Sequence, residues 1–111
     1  MKIIVTGGRN YNNPNKVNEV LSQLKPTEII HGACSGADEL AMKWAIDNQI
    51  RHTPYPADWN RYGYRAGPVR NRLMIISNPG ATLVAFPGGK GTANAIGVAE
   101  SINLNIIKVE E

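Results

Sequence analysis

Thr82-Leu83-Val84-Ala85-Phe86-Pro87-Gly88-Gly89-Lys90-Gly91-Thr92 reads as a buried strand, a glycine-rich turn and the opening of a helix. Its apolar run is continuous rather than alternating, as expected of a strand covered on both faces. Proline and the glycines end the strand, and a helical pattern near Thr92–Ile102 follows, with Ile96, Ala99 and Ile102 turned inward. The same grammar recurs towards the start of the chain. Lys2–Thr6 runs into Gly7-Gly8-Arg9-Asn10-Tyr11, and Glu28–His31 runs into Gly32-Ala33-Cys34-Ser35-Gly36-Ala37-Asp38. Arg51–Tyr55 and Asn105–Val109 complete a set of five short strands.

Helices fill the intervals. In Pro14–Leu24, Val17, Val20, Leu21 and Leu24 follow the i, i+3, i+4, i+7 rule. Asn13 serves as N-cap, Pro14 takes the first helical position and Pro26 stops the helix. A second helix spans about Gly36–Asn48 and buries Ala37, Leu40, Ala41, Trp44 and Ala45, with Ser35 and Asp38 at N-cap and N3 spacing. Pro68 opens a third, through Ser77, with Val69, Leu73 and Ile76 inward, and Asn78-Pro79-Gly80 breaks it. The 111 residues therefore form one domain, 1–111. Strand–helix alternation predicts an α/β fold of three layers, α/β/α, around a five-stranded, mostly parallel sheet. With strand order 3-2-1-4-5, ligands bind beyond the strand C-termini where the order switches, between the first and fourth strands. The three glycine loops fall at that edge.

Composition removes several function classes. The chain is 42% hydrophobic and 19% charged, enough for an ordinary core. No apolar run approaches the roughly 20 residues that span a bilayer, and the opening apolar run breaks too soon for a signal-peptide core. A single cysteine, Cys34, forms no disulfide framework, and with His31 and His52 it lacks metal-ligand spacing. These features predict a cytoplasmic protein with no metal, no cofactor and no membrane partner. Twelve Lys+Arg against nine Asp+Glu give a net charge of +3, too few positive charges to argue for nucleic acid. Nine of the eleven glycines, by contrast, lie in the loops or beside the arginines, which makes them the informative residues.

Each loop has its chemistry. In Pro87–Thr92, glycines let the backbone approach an anion and the helix N–H groups point at it; Lys90 adds charge, and Thr92 caps the helix or donates its hydroxyl. The spacing matches neither a Walker A loop nor G-x-G-x-x-G. In the second loop, Gly32, Ser35 and Gly36 permit close approach, and Asp38 either accepts from a sugar or caps its helix. Cys34 has no base beside it by motif, and His31 and His52 read as structural. In the first loop, Gly7 and Gly8 bring the backbone close, while Arg9 and Tyr11 supply a cation and an aromatic. Asp58 through Arg72 places Trp59, Tyr62 and Tyr64 among Arg61, Arg65, Arg70 and Arg72, with Asn71 between the last two. Arginine suits phosphate and an aromatic face suits a base. Tyr11, Trp59 or Tyr62 would contact the base, Arg70 and Lys90 the phosphate.

Four stretches carry a resemblance: Val5–Tyr11, His31–Ala41, Pro56–Trp59 through Gly67–Met74, and Pro87–Thr92. In this order they resemble the YspA-like branch of the SLOG superfamily, named for Smf/DprA and LOG, whose small members occur in bacteria and phages. The resemblance implies a Rossmann-like fold, a nucleotide or nucleotide-derived ligand and a homo-oligomer. It implies binding for sensing or sequestering, with two alternatives. One is the LOG phosphoribohydrolase, or N-glycosidase, whose motif Pro-Gly-Gly-x-Gly-Thr-x-Glu-Glu matches Gly88, Gly89, Gly91 and Thr92 but meets Asn94 and Ala95 at its glutamates. Asp38, Asp58 and Arg70 are then the catalytic candidates. The other is DprA-like binding of single-stranded nucleic acid, suggested by Arg70-Asn71-Arg72-Leu73.

Overall fold

The computed structural model describes residues 1–111. Its elements are β1 (Lys2–Thr6), α1 (Pro14–Leu24), β2 (Glu28–His31), α2 (Ala37–Asp47), β3 (Arg51–Pro54), α3 (Trp59–Tyr62), a 3-10 turn (Gly63–Arg65), α4 (Ala66–Ile76), β4 (Thr82–Ala85), α5 (Lys90–Ser101) and β5 (Asn105–Lys108). The strands form one sheet in the order β3-β2-β1-β4-β5. Every neighbouring pair is parallel, with Ile3 opposite both Ile29 and Thr82. The architecture is thus the three-layer Rossmann-like one, and the sheet is wholly rather than mostly parallel. No helix is long and apolar enough to cross a membrane.

Alternating side chains of the central strands divide the core into two layers. Ile3, Val5, Ile29, Val84 and Phe86 meet Val17, Leu21, Ala41, Trp44 and Ala45 of α1 and α2 on one face. Ile4, Ile30 and Leu83 meet Met74, Ile75, Ala95 and Ala99 of α4 and α5 on the other. Burial on both faces explains why these strands read as unbroken apolar runs. Asn13 caps α1 as its sequence predicts, accepting from the Lys16 N–H at 3.0 Å ahead of Pro14.

Three local expectations need correction. Ser35 does not cap α2: Gly36 occupies the N-cap without a side-chain bond, and the Ser35 hydroxyl donates instead to the Arg9 carbonyl. Thr92 is not a cap either, because α5 begins two residues earlier, after Gly89. The largest correction concerns α4. It starts at Ala66, preceded by α3 and the 3-10 turn, and buries Ala66, Asn71, Met74 and Ile75. Val69, Leu73 and Ile76, expected inward, are exposed, as is Ile102. Two apolar stripes run along α4, and periodicity does not rank them. The buried stripe is the one whose Met74 and Ile75 pack with Ala95 and Ala99 of α5, and Asn71 on the same side keeps its amide bonded to α5, so that its burial is satisfied.

Candidate functional site

The chain leaves β1 towards one side of the sheet and β4 towards the other, so a crevice opens between their C-terminal ends. The loops beyond them are stitched together. Gly8 N–H donates to the Pro87 carbonyl at 2.9 Å, and the Gly8 carbonyl accepts from Ala37 at 3.1 Å and Tyr11 at 3.2 Å. Gly88 fits only as glycine: a Cβ there would lie 2.6 Å from Gly8 N and 3.0 Å from Gly7 C, besides striking the Thr92 hydroxyl. Beyond these loops lies a cavity of about 450 Å³, within the usual range of small-molecule sites.

Most of the residues expected from the sequence converge on it. Gly7, Gly8 and Arg9 form one wall, Gly32 and Asp38 a second, and Gly89, Lys90, Gly91 and Thr92 a third, with Trp59, Arg70 and Asn71 closing the side nearest α4. Helices α2, α4 and α5 turn their amino ends towards this cavity, but only α5 opens there freely. Ala37 N–H of α2 is held by the Gly8 carbonyl, and α4 continues from the 3-10 turn, with its Ala66 N–H bonded to the Gly63 carbonyl and no N–H at Pro68. The helix dipoles and the free N–H groups of α5 make the crevice attractive to an anion. All three ion pairs of the protein are lysine–glutamate pairs elsewhere, so Arg9, Arg70 and Lys90 have no carboxylate partner.

Other expected residues stand outside. Tyr11 turns away from the cavity, packs on Phe86 at 5.4 Å between ring centres and donates its hydroxyl to Glu111. Burial and that carboxylate raise its pKa well above the ordinary tyrosine value. Asp58 caps α3, accepting from Arg61 N–H at 3.1 Å. Tyr62 pairs with the Arg61 guanidinium, 5.2 Å over its ring. Ser35, Gly36, Pro87 and Gly88 shape the loops from behind and do not line the space.

The cavity also recruits residues that sequence reasoning passed over: Thr6, Cys34, Tyr64, Gly67, Pro68, Met74 and Asn94. Tyr64 lay in the quoted aromatic–arginine segment and is 84% exposed, so packing does not account for it. Trp59 is also half-exposed, with the Arg9 guanidinium 5.4 Å over its ring. In the sequence Asn94 reads only as a departure from the LOG glutamate, and its place on the cavity wall comes from the packing of α5 against α4.

Arg70 is more deeply engaged than a free phosphate ligand. Its Nη1 donates to the Gly32 carbonyl, to the Tyr55 carbonyl at 3.4 Å and to Cys34 Sγ at 3.6 Å. Its Nε donates to Asn71 Oδ1 at 2.8 Å. Asp38, buried beside it, accepts from Gly32 N–H at 2.9 Å and Cys34 N–H at 3.4 Å. Desolvation pushes its carboxyl up to about 6, against the pull of those N–H groups and of Arg70 and Arg9.

His31 supports the same loop from below. Its Nδ1 accepts from Ala33 N–H at 3.0 Å, so the ring proton sits on Nε2, which has no partner. Burial first, then the neighbouring His52 ring 5.7 Å away, lowers its pKa to about 4.

The two shifts oppose one another. Asp38 has its higher pKa in the folded state, so its stabilising contribution is full below about pH 4 and lost as pH rises through about 6. His31 has its lower pKa in the folded state, so its contribution is full above pH 6.5 and lost as pH falls through about 4. Each amounts to roughly 3 kcal/mol at full extent. Stability is therefore expected to be nearly flat between pH 4 and 6. Asp38→Asn should convert this into a clear rise with pH, measurable by urea denaturation; a flat profile in the variant would contradict the opposition.

A family model described as the YspA, cpYpsA-related SLOG family matches residues 1–62, more than half of the chain. The chain belongs to this SLOG family. The matched part carries the first two walls of the cavity, Gly7–Arg9 and Gly32–Asp38, while α4 and α5 lie beyond it. The chain is also similar to Gene 61 protein of Mycobacterium phage D29, at 29% identity over 118 aligned residues. That alignment covers 96% of this chain and 94% of the phage protein.

Proposed function

We propose that this protein binds a phosphate-bearing nucleotide or nucleotide-derived signal, as a sensor or sequestering protein. The observation that carries the reading is the meeting of the open start of α5 with three cations that are in no ion pair, Arg9, Arg70 and Lys90, around one cavity. Phosphate would sit at Gly89–Thr92 with Lys90, Asp38 would face a sugar hydroxyl, and Trp59 and Tyr64 would flank the base. Membership of the SLOG family supports a nucleotide signal as the cargo.

Trp59 offers a direct test. Trp44 is buried and Trp59 faces the cavity, so a Trp44→Phe variant reports on Trp59 alone. Asn18 Oδ1 keeps the Ser22 hydroxyl as a donor when the indole is lost, so the variant should fold. Titration with AMP and ADP is expected to quench the remaining fluorescence, and Lys90→Ala should weaken binding by about fivefold. No binding of any nucleotide by fluorescence or by native mass spectrometry of a nucleotide extract would end this reading.

One observation favours a second reading. Asp38 is the one carboxyl lining the cavity, and its pKa near 6 suits a group that exchanges protons near neutral pH. A LOG-like N-glycosidase would use it in place of the glutamates absent at Asn94 and Ala95. Release of free base beyond stoichiometry, abolished in Asp38→Asn with binding retained, would replace the binder by the enzyme.

A further inference from the structure

Asn71 is 5% exposed, and both ends of its carboxamide are oriented by groups whose polarity cannot be reversed. Arg70 Nε can only donate, and it donates to Asn71 Oδ1. The Gly91 carbonyl can only accept, and it takes Asn71 Nδ2 at 3.2 Å. The remaining hydrogen of Asn71 Nδ2 points at the Asn94 side chain, 3.0 Å away, which must offer Oδ1. Asn94 is thereby left with its Nδ2 hydrogens free, at the wall of the cavity between α4 and α5. The same Asn71 bond holds the Arg70 fork, whose Nη2 donates to no protein atom. Two donor groups are thus oriented by one buried amide, Arg70 at its oxygen end and Asn94 at its nitrogen end, on the cavity that Lys90 also lines.

We propose that Asn94 Nδ2 and Arg70 Nη2 form a second anion-binding position, so that the site takes a nucleotide with two linked phosphates. This rests on the reading of the cavity as a nucleotide site and specifies its ligand as a diphosphate. The first phosphate lies against the start of α5, and the second meets Asn94 and Arg70. Asn71 touches neither phosphate and acts as the positioning residue. An acceptor-rich diphosphate satisfies the donor-only pair, whereas a monophosphate leaves it hydrated.

Calorimetric titration of the full chain with orthophosphate, pyrophosphate, AMP and ADP tests the assignment. The wild type should bind pyrophosphate over orthophosphate, and ADP over AMP, by about tenfold or more. Asn94→Asp still accepts from Asn71 but turns a carboxylate towards the ligand. It should lose about 30-fold in affinity for pyrophosphate and ADP while orthophosphate and AMP change by less than about threefold. Asn94→Ala, which removes the donors without adding charge, should show the same selective loss at about tenfold. The proposal is overturned if the wild type shows no preference for the linked phosphates, or if both variants weaken all four ligands equally. Wild-type protein that binds none of the four would instead remove the nucleotide reading on which it rests.

Discussion

Gly36→Ala lowers the stability of the domain by about 3–5 kcal/mol. Gly36 sits at φ 77° and ψ −127°, a region that side-chain-bearing residues rarely enter. Space is lacking as well: a Cβ would strike the Gly8 carbonyl oxygen and lie 2.6 Å from both C and O of Arg9. These obstacles are backbone atoms of the loop after β1, so no side-chain rotation relieves them. The two loops would have to part, breaking the Ala37 N–H to Gly8 bond that joins α2 to β1. A midpoint drop of more than about 10 °C is expected in thermal denaturation. Gly97→Ala is the matched control, since nothing lies within 4 Å of a Cβ there in the middle of α5. It should stabilise by about 0.5–1 kcal/mol. A Gly36→Ala protein that melts within 2 °C of wild type would refute the strain argument.

Arg70→Ala removes structure and binding together. The guanidinium fastens α4 to the ends of β2 and β3 through the Gly32 and Tyr55 carbonyls, and orients Asn71 through Nε. Removing it leaves half-buried acceptors without donors, at a cost of about 2–4 kcal/mol. Its positive charge also holds Asp38 below the value that burial alone would impose, so the Asp38 carboxyl should rise above about 6 in the variant. On the nucleotide reading, affinity for ADP falls by about 100-fold. Arg70→Lys keeps the charge but not the planar fork, and should recover less than half of the lost stability. Chemical denaturation and titration separate the two effects. Unchanged stability in Arg70→Ala would mean that its hydrogen bonds are solvated in solution, and unchanged affinity would leave phosphate to Lys90 and the helix starts alone.

The unequal legibility of the site has a physical origin. Gly7, Gly8, Gly32, Gly89 and Gly91 could be placed beforehand because they lie in the segments that leave β1, β2 and β4, and in a parallel sheet all strand C-termini share one edge. Tyr11 follows a strand almost as closely, yet its ring points to Phe86 and Glu111 rather than to the crevice. Nothing in its neighbours indicates that direction, since Glu111 lies a hundred residues away. Asn94 was obscured for a related reason. Its role depends on which way an amide faces, and that is settled by Asn71 and, through it, by Arg70 and Gly91.

Local chemistry in the chain determined the elements and their order. Unbroken apolar runs made doubly covered parallel strands, Asn13-Pro14 started α1, and Asn78-Pro79-Gly80 ended α4, all through interactions within a few residues. Tertiary structure alone decided which stripe of α4 is buried. Val69, Leu73 and Ile76 are as apolar as Met74 and Ile75, and an isolated helix would present both stripes equally. Docking on α5 and the sheet broke the tie by burying Met74 and Ile75, and Asn71 on the same side stays hydrogen-bonded to α5, which offsets the cost of burying its amide. The same docking turned Arg70 and Asn94 towards one cavity, which residues 24 positions apart on separate helices cannot arrange by themselves.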